Sequence, residues 1–183
     1  MHEGQWLYVS GANGVGKTSL LRILCGLALP DSGQVLYNNI PIQAQKEGFH
    51  ADLCYLGHLN ALQDALSVEE NLFFATALLG QPLDRAHAQA VLSRFGLKGR
   101  AQQLVRQLSQ GQKRRVALSR LALSRARLWI LDEPYVAMDE AGVDMLADLI
   151  ATHLQGGGMA VITSHQRVPI GNVPAQVLEL SAA

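Results

Sequence analysis

Charge of one sign is what this sequence most plainly lacks: fifteen Lys and Arg stand against fifteen Asp and Glu, for a formal net charge of zero. With no positive field to draw the chain toward phosphate backbones, nucleic acid is not expected as the main partner. Cysteine is scarce as well. Cys25 and Cys54 have neither CxxC nor CxxCH spacing, which excludes the common thiolate metal sites, dithiol redox motifs and haem-attachment motifs. They read instead as small apolar fillers in a reducing compartment. No apolar run reaches the roughly 18 residues that mark a membrane span; the nearest candidate, LLRILCGLALP (20–30), is broken by Arg22 and ends at Pro30. No basic, apolar and small-residue series of a secretion signal precedes the first apolar segment. Internal repeats and low-complexity segments are missing too. A soluble cytoplasmic chain is the expectation.

What is present is an alternation of short apolar runs and helical patterns. WLYVS (6–10), DLCYLGH (52–58), LWIL (128–131), MAVIT (159–163) and QVLEL (176–180) read as strands, WLYVS and LWIL as buried ones. VLYNNIPI (35–42) reads as a hairpin turning at Asn38-Asn39, residues that tolerate positive φ. Helices are predicted at about 18–27, 110–126 and 140–154. Between residues 60 and 108 the pattern is mostly helical. Ser67 and Glu70 form a capping box, and a helix capped by Asp84 packs Val91, Leu92 and Phe95 and stops at Gly96. The expected fold is α/β: a single domain over 1–183, built on a mostly parallel sheet covered on both faces, with a helical subdomain inserted at 60–108.

GANGVGKT (11–18) fits G-x-x-x-x-G-K-[ST] and lies between a strand and a helix, the setting of a phosphate-binding loop. Gly11, Gly14 and Gly16 let the backbone curl; with Ala12, Asn13 and Val15 it turns its N–H groups toward phosphate oxygens. The helix that follows adds positive potential at the same point. Lys17 is placed for the β- and γ-phosphates and Thr18 for Mg²⁺. LWILDEP (128–134) supplies the complementary carboxylates at a strand's carboxyl end, where α/β sheets hold ligands. Asp132 suits the Mg²⁺ shell, through water, and Glu133 suits a general base toward an attacking water.

LSQGQKRRVALSRLALSRAR (108–127) sets a small polar turn in front of an arginine-rich helix. The turn itself is an anion site: Ser109 and the N–H groups of Gln110 and Gly111 open a helix. Lys113, Arg114, Arg115 and Arg120 are expected on a solvated or subunit-facing surface, while Val116, Leu118, Leu121 and Ala122 pack. Together with the phosphate loop and LDEP, LSQGQ resembles the LSGGQ motif of the ATP-binding cassette family, a family of P-loop NTPases. The resemblance implies a head-to-tail homodimer in which Ser109, Gln110, Gly111 and Gln112 close on ATP held by the other subunit. It also implies that Asp139 of VAMD (136–139) contacts the partner subunit, and that His165 of TSH (163–165) touches the γ-phosphate.

Within the family, YLGH (55–58), LSQGQKRRVALSRL and RLWILDEPYVAMD resemble the branch of ATP-binding subunits of bacterial cytochrome c maturation haem exporters. That implies an ATP- and Mg²⁺-dependent hydrolase peripheral to the cytoplasmic face of the inner membrane. Its partners would be membrane-spanning permease subunits contacted through the loop at His58, and the chain itself is not expected to bind haem. Family members also carry an N-terminal antiparallel β part with an aromatic residue that stacks on adenine; that part is expected to be missing here, since Trp6 and Tyr8 lie on the first strand and should be packed. The competing readings fare less well. Cassette proteins acting on DNA or ribosomes usually carry two cassettes or long coiled-coil insertions. A P-loop kinase or switch GTPase has no use for LSQGQ, and a guanine-reading NKxD motif is lacking.

Overall fold

The computed structural model describes residues 1–165 and 167–181. Seven strands and six α-helices follow in chain order: β1 Trp6–Gly11, α1 Lys17–Leu24, β2 Leu36–Tyr37, β3 Ile40–Pro41, α2 Lys46–Ala51, β4 Leu53–Leu56, α3 Val68–Leu78, α4 Arg85–Arg94, α5 Gln110–Leu123, β5 Leu128–Asp132, α6 Glu140–Gln155, β6 Met159–Thr163 and β7 Gln176–Leu180. They fall into two compact units. The first comprises Met1–His58, Arg125–Pro134 and Ile150–Ala183; the second comprises Leu59–Ser124 and Tyr135–Leu149.

The first unit carries a five-stranded sheet of order β4-β5-β6-β1-β7, every neighbouring pair parallel. Parallel pairing requires long crossovers and aligns all carboxyl ends on one edge. On that edge β1 runs into the phosphate loop, β5 into Glu133, β6 into Ser164-His165 and β4 into Gly57-His58. The pleat sends alternate residues to opposite faces. Val9, Leu128, Ile130 and Val161 meet Leu21 and Cys25 of the α1 region, Tyr37, Ile42 and Phe49 of α2 in one buried cluster. Trp129, one residue out of step, lies against the other face, where its indole stacks on His153 of α6 at 3.8 Å and 7°. Both faces are therefore covered, as near-continuous apolar strands require. The β2–β3 hairpin pairs Leu36 with Pro41 and Tyr37 with Ile40; Asn38 and Asn39 take φ of 51° and 62°, the primed turn that Asn-Asn favours.

The second unit is helical and contains residues 60–108 together with α5 and the start of α6. The capping box of α3 forms as its residues dictate: Glu70 N–H donates to Ser67 Oγ, and Ser67 N–H donates to Glu70 Oε2 at 2.7 Å. Asp84 caps α4 by accepting from His87 N–H at 2.8 Å. That helix stops because Gly96 takes φ 70° and lets Leu97 N–H return to Leu92 O at 2.8 Å. Leu72, Leu92, Phe95, Leu97, Leu118 and Leu121 are buried, while Phe74 of α3 is half exposed. Among the described residues no helix is long and apolar enough to cross a membrane.

Candidate functional site

The phosphate loop lies wholly in the first unit. Gly14 and Gly16 take φ of 79° and 107°, and a Cβ added at either would meet nothing within 4 Å, so the loop surface there is open. Gly11 differs: at φ 147° its Cβ would stand 2.7 Å from Leu180 O and 2.8 Å from Val15 Cγ1, so the curl of the loop excludes any side chain. Lys17 is buried, and its Nζ donates to Gly11 O at 2.8 Å and Ala12 O at 3.2 Å. The loop's own carbonyls thus hold the ammonium at the start of α1.

Register explains the carboxylate side. Asp132 is the last residue of β5 and pairs with Thr163, the last of β6. Both are buried, and Thr163 Oγ1 donates to Asp132 Oδ1 at 2.7 Å. The second oxygen, Oδ2, accepts from Thr18 Oγ1 at 2.9 Å. Thr18 keeps lone pairs after donating its only hydroxyl proton, so Thr18 and Asp132 form an all-oxygen pair beside the phosphate loop. That donor chemistry fits Mg²⁺, which favours oxygen ligands and retains water.

Glu133 stands just beyond, with φ 48°, a left-handed conformation that side chains with a Cβ rarely adopt. Its N–H donates to Thr163 Oγ1 at 2.9 Å. Its carboxylate reaches the end of β6: Oε2 accepts from His165 N–H at 3.3 Å and Oε1 lies 3.4 Å from His165 Nε2. The Glu133 side chain is 14% exposed and that of His165 53%. Burial, joined by the charge of Asp132 and by Cys54, pushes the Cys25 thiol up to about 12. Cys25 therefore stays protonated and un-nucleophilic, in keeping with a filler role. His58, after β4, is exposed. Trp6 is buried and donates its indole N–H to Val173 O, while Tyr8 donates to Ser164 O at 2.8 Å; both aromatics are committed to packing.

The second unit holds the LSQGQ turn. Ser109 and Gln110 are exposed and precede α5 in a second capping box: Ser109 Oγ accepts from Gln112 N–H at 3.2 Å and Gln112 Oε1 from Ser109 N–H at 3.0 Å. A Cβ on Gly111 would lie 3.2 Å from Ala137 O, so the turn approaches the VAMD backbone closely. Asp139 caps α6 by accepting from Gly142 N–H at 3.1 Å and also pairs with Arg115 at 2.5 Å; its side chain remains 63% exposed.

Of the basic residues of α5, Arg114 departs from the expected solvated or subunit-facing surface. Arg114 is 5% exposed and its guanidinium donates to Asn60 Oδ1 at 3.2 Å. Lys113 pairs with Asp64 at 2.7 Å, and Arg115 donates to Phe95 O as well as to Asp139. Their length and donors tie the helix to segment 60–64, to α4's end and to VAMD. Thr163 is the residue sequence reading missed. Its signal was available: a lone hydroxyl closing the apolar run MAVIT, in line with the acidic end of LWILD.

With this geometry in hand, similarity to known proteins can be placed on it. The family model described as ABC transporter matches residues 1–136. A protein of Albidiferax ferrireducens named cytochrome c biogenesis ATP-binding export protein CcmA is 66% identical over 182 residues, covering 100% of this chain and 87% of that one. The protein of the same name from Dechloromonas aromatica is 51% identical over 96% of this chain and 84% of its own. Among solved structures, a putative ABC transporter ATP-binding protein from Pyrococcus furiosus superimposes with a TM-score of 0.84 at 26% identity, covering 98% of this chain and 86% of that one. The chain belongs to the ABC transporter family, as one of its ATP-binding proteins.

Proposed function

We propose that this chain is the ATP-hydrolysing subunit of a bacterial inner-membrane exporter complex that moves haem, or releases it from a haem-handling chaperone, during c-type cytochrome biogenesis. The observation that carries the hydrolytic part is the meeting of the phosphate loop, Asp132, Glu133, Thr163 and His165 at one edge of the sheet. The cargo class rests on the names of relatives that align over nearly the whole chain. Loop N–H groups from Gly11 to Lys17 and the Lys17 ammonium bind the β- and γ-phosphates. Thr18 and, through water, Asp132 would hold Mg²⁺, which would supply neutralisation of phosphate charge. Glu133 accepts a proton from the attacking water as its oxygen bonds to the γ-phosphorus and the bridging P–O bond breaks. His165 Nε2, near that carboxylate, is set to contact the transferred phosphoryl group.

The second half of each site comes from another copy. Ser109 with the N–H groups of Gln110 and Gly111 forms a helix-start anion site, Ser109 and Gln110 being exposed, offered with Gln112 to the γ-phosphate on the partner chain. The exposed carboxylate of Asp139 lies at the same dimer face. His58 contacts the membrane-spanning permease subunits, keeping this subunit peripheral on the cytoplasmic side. Haem is handled by those partners and not by this chain.

One experiment tests both parts. Cells whose sole copy carries Lys17→Ala or Ser109→Arg should lose mature c-type cytochromes on haem-stained gels and ATPase activity in their membranes. Co-expression of the two variants pairs an intact loop with an intact turn. Random isologous pairing leaves about a quarter of the sites working, so partial recovery is expected. Normal cytochromes in the Lys17→Ala strain would overturn the role in cytochrome assembly; no recovery with heterodimers isolated would overturn the shared site.

A further inference from the structure

We infer that Thr163 is a positioning residue for hydrolysis, one hydroxyl setting both acidic residues at the end of β5. The inference rests on the reading of Asp132 and Glu133 given above. A threonine hydroxyl has one proton to give and lone pairs to receive, and here both capacities are used. The proton goes to Asp132 Oδ1 at 2.7 Å, and a lone pair accepts from Glu133 N–H at 2.9 Å. Thr163 is fully buried, so water does not compete for either bond, and its place opposite Asp132 is fixed by strand register.

The consequence for Glu133 is geometric. Its backbone stands at φ 48°, a conformation persisting only where surroundings over-determine it. The Thr163 hydroxyl holds the N–H end of that residue, and His165, two positions along the same strand end, holds the carboxylate through its own N–H. Thr163, the last residue of β6, and His165 just beyond it therefore grip the general base at backbone and side chain. Asp132 is fixed in the same way between two hydroxyls, Thr18 on Oδ2 and Thr163 on Oδ1. A base aimed at one water tolerates little misplacement, and a shift of about 1 Å can cost around a hundredfold in rate.

The test compares Thr163→Val, which keeps shape and loses the hydroxyl, with Thr163→Ser, which keeps the hydroxyl. ATP affinity, kcat and the Mg²⁺ dependence of the rate are measured in membranes carrying the full exporter. Thr163→Val should retain ATP affinity within about threefold, because Lys17 and the loop are untouched, while kcat falls about tenfold to a hundredfold. Its rate should also need severalfold more Mg²⁺, whereas Thr163→Ser should restore kcat to within about threefold of the parent. In a Glu133→Gln background the valine change should cost less in kcat than it does alone, since the part acting through the base is already removed, while the raised Mg²⁺ requirement that acts through Asp132 should persist. Thr163→Ala supplies the same comparison if the valine variant does not fold. Parental kcat in Thr163→Val or Ala, or a serine variant as slow as they are, would overturn the inference. Full activity of Glu133→Gln alone would instead overturn the reading of the base, leaving the comparison of serine with valine to be judged by itself.

Discussion

Replacing Glu133 separates its chemistry from its conformation. At φ 48° a residue with a Cβ carries a left-handed penalty of roughly 1–2 kcal/mol. Glutamine keeps that penalty and the side-chain length, and loses only the basic carboxylate. Glycine removes the penalty, offset by about 0.5–1 kcal/mol for its freer unfolded chain. The 3.3 Å bond from His165 N–H to Oε2 is long and adds little to the balance, and the Thr163 bond is to the backbone and survives in every variant. Glu133→Gly should therefore be the more stable protein by about 0.5–1 kcal/mol. For a chain of this size that is about 1–4 °C in Tm, while Glu133→Gln should melt close to the parent. Both should lose about 10²–10⁴ in kcat, equivalent to roughly 3–5 kcal/mol of barrier. The assay is thermal unfolding without nucleotide, which would itself stabilise the fold, alongside phosphate release. Glu133→Gly melting at or below Glu133→Gln would refute the strain argument. A glutamine variant keeping most of its turnover would remove Glu133 as the base.

Three other expectations concern His153, the glycine packed under it, and His58. Burial lowers the pKa of His153, against hydrogen bonds to backbone carbonyls at Met159 and Arg127 that raise it. A folded value below the unfolded one means stability is full above about pH 6.5 and is lost as pH falls beneath it. His153→Phe keeps a ring on Trp129 and should flatten urea stability between about pH 7 and 5; an unchanged slope would show that other groups set it. Gly158 packs under the same imidazole, with an added Cβ 2.3 Å from two of its ring atoms, so Gly158→Ala should cost about 1–3 kcal/mol by overpacking. His58→Gln should leave hydrolysis by the isolated subunit unchanged and alter its stimulation by the membrane partners; loss of basal hydrolysis would move His58 into the catalytic site.

Strands and motifs were legible in the sequence because their determinants are local. A parallel strand buried on both faces is an apolar run, and MAVIT becomes β6 over the same residues; QVLEL becomes β7, the exposed edge strand, whose apolar residues still mark it. The same locality holds for the capping boxes, where both partners sit three residues apart. Lys46–Ala51 went unread as a helix because six residues, one of them Gly48, leave no period to see, and only Phe49 is buried. Thr163 is a harder case. Its residue type is ordinary for a strand, and its importance appears only when register places it against Asp132, 31 residues earlier.

The arginine-rich helix shows where local reading fails most instructively. On sequence alone a run of Lys and Arg belongs to solvent, since a cation is rarely buried without a partner. One partner of Arg114 is Asn60, 54 residues away, and Lys113 pairs with Asp64, 49 residues away. No periodicity within 108–127 encodes either distance. Their place at the base of the LSQGQ turn also changes what the basic residues are for. Segment 63–68 is hydrogen-bonded to 101–106 through Val105 N–H to Leu66 O, Arg106 N–H to Asp64 O and Val68 N–H to Gln103 O. The turn thus stands on a braced platform within the helical unit. Exposed surface pairs such as Lys113–Asp64 contribute little to stability, about 0–1 kcal/mol. Buried Arg114 differs, because a hydrogen bond made away from water, such as the one to Asn60, is costlier to lose. In the proposed role the turn supplies the anion contacts, and the cations behind it brace the helix that it opens.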